Sequence, residues 1–168
     1  MGSRALDLVR IEAGFLLPHV DFMPAEAALR PTRGRSPFEL GMNWLVDFGK
    51  GHFIGRRALL EESRRGSYYR VVGLDIEGNR PAHTSFIYHD RNREAGHVTS
   101  AMWSPTCKRN LAIATLKSQY LMSGDDNLWA EIYVHKELKW EKRMVRATVV
   151  ERPFFNPPRR RAVPAGRV

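Results

Sequence analysis

Hydrophobic and polar positions along this chain follow three patterns in turn. Over residues 3–14, Leu6, Val9 and Ala13 fall on one side of a helical period, with Ala5 and Leu8 widening the stripe. Ser3 is a good N-cap, Asp7 lies towards the dipole end that favours negative charge, and Arg10 falls in the last turns. Gly14 supplies the left-handed residue that ends such a helix. Residues 15–35 have no period: Phe15-Leu16-Leu17 give way to Pro18, Pro24, Pro31 and Gly34, a connection long enough to suggest function or mobility. Met42, Trp44, Val46 and Phe48 then alternate with Asn43 and Asp47, which predicts a half-buried strand. Helical spacing returns over 53–65, where Phe53, Ile54, Ala58 and Leu59 share a face, Arg57, Glu61 and Arg65 pair outside, and Gly66 stops the helix.

From Tyr68 the period is two and stays two. Strands are predicted near 69–77, 85–89, 95–102, 110–117, 128–135 and 143–151. Between them lie Gly78-Asn79-Arg80-Pro81, Asp90-Arg91-Asn92-Arg93, Ser104-Pro105 and Gly124-Asp125-Asp126-Asn127, all turn chemistry. Six short strands with no crossover helices mean an antiparallel barrel or sandwich. The expected fold is therefore mainly β with an α+β N-terminal arm. It divides into an arm over 1–50, a linker helix over 51–66, a β domain over 67–156 and an unfolded basic tail over 157–168.

Composition changes this picture little. A hydrophobic content of 43% with four Trp and eight Phe is that of a globular chain. No apolar run approaches the ~20 residues of a membrane span. The start, Met1-Gly2-Ser3-Arg4, lacks the apolar core of a signal peptide, so a cytoplasmic location is expected. Cys107 is alone, which excludes an internal disulfide, and the histidines show no zinc-ligand spacing. The net charge of +9 favours anionic partners, whether acidic proteins, polycarboxylates such as folates, or nucleic acid. Much of it reads as solvated surface, and Arg159, Arg160, Arg161 and Arg167 sit in the tail, so nucleic acid is not the expected partner.

Catalytic constellations are scarce. Gly49-Lys50-Gly51 is too short for a phosphate-cradling loop. Ser100 and Ser104 near His97 have the spacing of structural neighbours more than of a nucleophile and base. Asp125-Asp126 reads as a solvated turn, and His52 and His135 as ordinary, partly exposed histidines. On these grounds alone the chain is a basic β-rich domain with a helical arm.

Four segments in order add a resemblance. Ala5-Leu6-Asp7-Leu8-Val9-Arg10-Ile11-Glu12-Ala13-Gly14 is similar to A-R-D-x-L-R-L-E-A-G. Ser36-Pro37-Phe38-Glu39-Leu40-Gly41-Met42-Asn43-Trp44, followed by Phe53-Ile54-Gly55-Arg56-Arg57-Ala58-Leu59, is similar to P-F-E-x-G-L-x-W and F-x-G-x-x-A-L. Val72-Gly73-Leu74, Gly96-His97-Val98-Thr99-Ser100, Ser104-Pro105 and Leu111-Ala112-Ile113-Ala114 follow V-G-L, G-x-V-T-S-G-x-x-S-P and I-A-L-A. Pro153-Phe154-Phe155-Asn156-Pro157 resembles the closing P-F-Y-D-P. Together they resemble the C-terminal half of the tetrahydrofolate-dependent aminomethyltransferases, the glycine cleavage T-protein family.

The resemblance implies a six-stranded barrel as the last of three domains around a folate channel, with residues 1–50 ending the middle domain. It implies tetrahydrofolate as cofactor, a small one-carbon donor, and an acidic lipoyl carrier protein as partner. The family's catalytic aspartate lies in an N-terminal half outside this chain, which begins two residues before a cap. That half is an expected partner, and the chain alone is expected to be inactive, with no catalytic residue of its own. Arg10, Glu12 and Asp21 are the candidate folate-channel residues, Arg10 and Glu12 either facing the channel or pairing to pin helix to strand, Asp21 either matching a family aspartate or capping a loop. Gly41, Trp44 and Gly55 are expected to be structural, Trp44 as core filler. Many members carry an arginine that contacts folate where this chain has Leu6, which leaves folate-dependent demethylases of sulfonium, methylamine or aryl-ether compounds open. A tRNA-modification-linked relative carries K-G-C-Y-x-G-Q-E, and Lys50-Gly51-His52-Phe53-Ile54-Gly55-Arg56-Arg57 lacks its cysteine. The non-enzymatic alternative is a basic barrel binding RNA or an acidic protein.

Overall fold

A computed structural model describes residues 2–122, 127–160 and 162 of the chain. Six antiparallel strands close into a barrel: β1 (Tyr69–Ile76), β2 (Phe86–His89), β3 (Arg93–Ser104), β4 (Arg109–Lys117), β5 (Leu128–Lys136) and β6 (Lys139–Val150), in the order β1-β4-β3-β2-β5-β6. All six match the predicted strands to within a few residues. Three helices accompany them: α1 (Ser3–Glu12), α2 (Arg56–Arg65) and α3 (Gln119–Met122), the last unforeseen. Of the expected Gly124–Asn127 turn all but Asn127, and most of the tail, lie outside the described residues, although Pro158–Arg160 forms one 3-10 turn.

Strand β4 shows why the barrel sits where it does. Residues 110–116 are all buried, so its apolar run is covered on both faces. Ala112, Ala114 and Leu116 point into the barrel with Leu74, Ile76, Ile87, Val98, Leu128 and Ala147. Leu111 and Ile113 point outward and join Ile11 of α1 and Leu40 in a second, smaller cluster. The arm is thus laid on the outside of β3 and β4. Gly96 of β3 permits the closest approach there, because a Cβ would meet the Thr115 carbonyl of β4 at 2.0 Å.

Several expectations for the arm are corrected. The strand predicted at 42–48 is instead a 3-10 turn at Asn43–Leu45 flanked by irregular backbone, after turns over 37–41. Ser36 and Glu39 form a reciprocal capping box: Glu39 N donates to Ser36 Oγ (3.2 Å) and Ser36 N to Glu39 Oε2 (3.2 Å). That starts helical turns, Gly41 ends them at φ 73°, and a closed barrel offers no free strand edge for residues 42–48 to pair with. Trp44 is accordingly no core filler but 77% exposed.

In α1 the predicted stripe faces outward, with Leu6 60% and Val9 52% exposed, while Ile11 and Glu12 are buried. Its N-cap is Gly2 and makes no side-chain bond; Ser3 is the first helical residue. The linker helix starts at Arg56, three residues later than predicted. Ile54 is fully exposed and Leu59 and Leu60 are half-buried, so the buried stripe is displaced from the predicted one. None of the helices among the described residues is long and apolar enough to cross a membrane.

Candidate functional site

Where α1 meets β3, three polar side chains and one backbone N–H close around one carboxylate. Asp21 lies in the tight turn after Leu17 and is 2% exposed. Its Oδ2 accepts from Arg10 Nη1 (2.5 Å) and the Leu17 backbone N–H (2.8 Å). Its Oδ1 accepts from the Thr99 (2.7 Å) and Ser100 (2.6 Å) hydroxyls. A carboxylate has about four lone-pair sites, and all four are filled by protein donors. Arg10 is equally committed: Nε donates to Asp7 Oδ1 (2.8 Å) and Nη2 to Ser100 Oγ (2.8 Å). Charge-assisted bonds at these distances fix Arg10 in one position.

Successive strand residues normally point to opposite faces, so Thr99 and Ser100 should not reach the same oxygen. A β-bulge lets them. Val98 pairs with Ala114 and Ser100 with Ile113, so one extra residue of β3 stands against β4. The motif that sequence analysis matched as V-T-S therefore delivers two hydroxyls to one carboxylate oxygen.

Glu12, two residues beyond Arg10, makes a second anchor. It is 7% exposed, and its Oε1 accepts from Ser104 Oγ (2.6 Å), which itself accepts from Cys107 N (2.9 Å). The pairing of Arg10 with Glu12 considered above is not what pins the helix; each has a separate partner on or beside the barrel. The Ser100, Ser104 and His97 grouping does not form a nucleophile–base pair either, since both hydroxyls serve carboxylates and His97 is exposed. The His97 ring is nonetheless partly desolvated by its neighbours, and this, with the Arg35 guanidinium, pushes its pKa below the ordinary value.

The structure brings the candidates Arg10, Glu12 and Asp21 to one seam, and it adds Ser104 as the partner of Glu12 and the guanidinium of Arg152, neither of which the sequence reading placed there. Ser104 carried a signal, the S-P of the third motif. Arg152 carried none: its Nη2 donates to the carbonyls of Leu40 (3.2 Å) and Val71 (3.0 Å), a tie between arm and barrel that only the fold reveals. Leu6 points away from this cluster into solvent.

Residues 70–156 match the family model of the glycine cleavage T-protein C-terminal barrel domain. The chain belongs to this family. It is 31% identical over 159 residues to an aminomethyltransferase of Prochlorococcus marinus, covering 94% of this chain and 37% of the relative. Against a Synechococcus aminomethyltransferase it is 34% identical over 158 residues, covering 94% and 38%. The crystal structure of the glycine cleavage system aminomethyltransferase T from Bartonella henselae superposes with a TM-score of 0.72 at 21% identity, covering 90% of this chain and 38% of that one. That likeness is one of fold. The chain therefore spans well under half the length of these relatives, and the matches fall on the family's barrel and the segment before it.

Proposed function

We propose that this chain is the C-terminal part of a tetrahydrofolate-dependent one-carbon transferase, and that the Arg10–Asp21–Thr99–Ser100 cluster holds the wall of a folate channel in place. The observation that carries the reading is the convergence of family-motif positions. Arg10 from the first motif and Thr99 and Ser100 from the third meet on one buried carboxylate, Asp21. Glu12 and Ser104, from the same two motifs, make the second anchor. In this reading Arg10, Glu12 and Asp21 are positioning residues more than ligands, because their polar atoms are already largely taken.

The transferred unit is an aminomethyl or methyl group. In the aminomethyl case the carbon would arrive bonded to a carrier thiol and leave bonded to folate, with ammonia and the free thiol as the other products; orientation would supply much of the rate. The acid–base groups come from an N-terminal half, since Asp21 is fully bonded and Glu12 is buried against Ser104 at the seam. The outward apolar residues Leu6 and Val9 supply a surface for that half. A basic exterior suits an acidic lipoyl carrier and a folate polyglutamate tail.

The test is folate protection against thermal unfolding. Tetrahydrofolate should raise the Tm of this chain mixed with the N-terminal half of the Synechococcus relative and leave the chain alone unchanged. Normal single-turnover one-carbon transfer by the chain alone, or no protection of the mixture, overturns the proposal.

A further inference from the structure

One groove at the seam of arm and barrel has no role in what precedes. It encloses about 760 Å³ and is lined by Gly14, Phe15, Leu16, Met42, Trp44 and Arg152. That volume is in the range of small-molecule sites. Trp44 is 77% exposed and Phe15 62% exposed, so two flat rings border open space.

Arg152 is the groove's charged group. The bonds of its Nη2 to two carbonyls hold the guanidinium still. Among the described residues its Nε and Nη1 have no hydrogen-bond partner, and neither is sealed in the interior. No carboxylate among the described residues forms an ion pair with it. Asp21 is the carboxylate whose charge it feels, but the acceptor sites of Asp21 are occupied. Burial pulls the Arg152 pKa below the usual arginine value, yet a guanidinium stays charged. The groove thus holds a fixed, partly desolvated positive charge short of its counter-charge.

The chemistry selects an anion class. Nη2, shared by both forks of the guanidinium, is spent on two carbonyls, so Nε and Nη1 offer separate N–H groups that suit one carboxylate held by single charge-assisted bonds. A phosphate dianion would draw on several cations, and the remaining lining residues carry none. The rings of Trp44 and Phe15 favour a flat apolar body against them. We propose that this groove binds a small, flat aromatic carboxylate, with its carboxylate on Arg152 and its ring against Trp44 and Phe15. The inference needs only the groove and does not rest on the one-carbon reading.

The probe is 2-naphthoate, titrated into the full chain by calorimetry and by protein-observed NMR. Saturable binding at about millimolar concentration is expected, with shifts centred on Gly14, Gly41 and the Trp44 indole. The uncharged 2-naphthamide should bind at least about tenfold more weakly, since it forfeits the charge-assisted pair. Trp44→Ala should weaken naphthoate several-fold at unchanged Tm, because that ring makes no hydrogen bond or ring contact among the described residues. Phe86→Ala, removing an exposed ring that does not line the groove, should change nothing. Arg152→Lys, which keeps the charge and loses the fixed guanidinium, should fall between wild type and the amide result. Failure to saturate, amide binding as tight as acid, or indifference to Trp44→Ala overturns the assignment. Tetrahydrofolate protection in the N-terminal-half mixture reports separately on the one-carbon reading, so the two can fail independently.

Discussion

The barrel and the arm are held together by opposite means. Inside the barrel the contacts are aliphatic: Leu74, Ile76, Ile87, Leu116 and Leu128 are each at most 1% exposed. Hydrophobic burial of this kind is large and non-directional. Among the described residues the arm offers only Ile11 and Leu40 as buried apolar residues, and what fixes it is a set of buried charges and hydroxyls. A buried ion pair adds little net stability, but it tolerates only one geometry. The barrel is therefore the source of stability and the seam the source of position. A wall of a binding channel needs the second property more than the first.

The comparison breaks most severely at Asp21. Asp21→Asn leaves the mostly buried Arg10 charge with only the half-exposed Asp7 opposite it, and a loss of up to about 5 kcal/mol in denaturant unfolding is expected. A loss below 1 kcal/mol would show that the seam is not held by charge. Ser104→Ala should cost less, about 1–3 kcal/mol, because it strips Glu12 of its hydroxyl donor while leaving the barrel core intact. Native-state hydrogen exchange sharpens the contrast directly: amides of α1 in the Ser104→Ala variant should open well below the global unfolding energy, and those of β4 should not.

A barrel-side control behaves differently with pH. Lys142, through its hydrogen bond, and then the Tyr133 hydroxyl hold the Glu131 carboxyl below the ordinary carboxylate range. A depressed folded value means that the contribution is full above the unfolded value of about 4.3 and is lost as pH falls through the lower folded value. Glu131→Gln should therefore lower Tm by at most about 4 °C at pH 7, with the gap to wild type closing in strong acid. A gap that widens in acid would contradict the assignment. The smallest effect is expected outside: Leu6→Ser with Val9→Ser should shift stability by no more than about 0.5 kcal/mol per site, while reducing binding of a hydrophobic dye.

The two regions also differ in how far they could be read from residues alone. The barrel strands were legible because their alternation answers to one core, and β4 stood out as an apolar run covered on both faces. The arm misled for a physical reason. Amphipathic logic assigns the apolar stripe of α1 to the interior, but this helix meets the barrel through Ile11, Glu12 and the bonded Arg10 and leaves Leu6 and Val9 in solvent. Likewise the alternation of Met42–Phe48 is strand-like, yet no strand edge exists to receive it. The family motifs located Arg10, Glu12 and Asp21 where periodicity had no opinion, and only the fold could say that Asp21 is saturated and that Arg152 is not.

One extra residue in β3 has a reach beyond its own strand. Shorten that segment by a single position and the ladder to β4 would run more regularly, with the barrel as well formed as before. One hydroxyl would then swing to the wrong side, Asp21 would keep three donors instead of four, and the helix above would lose its seat. An apparently harmless deletion in a β domain would be felt as misplacement of a helix that the deleted residue never touches.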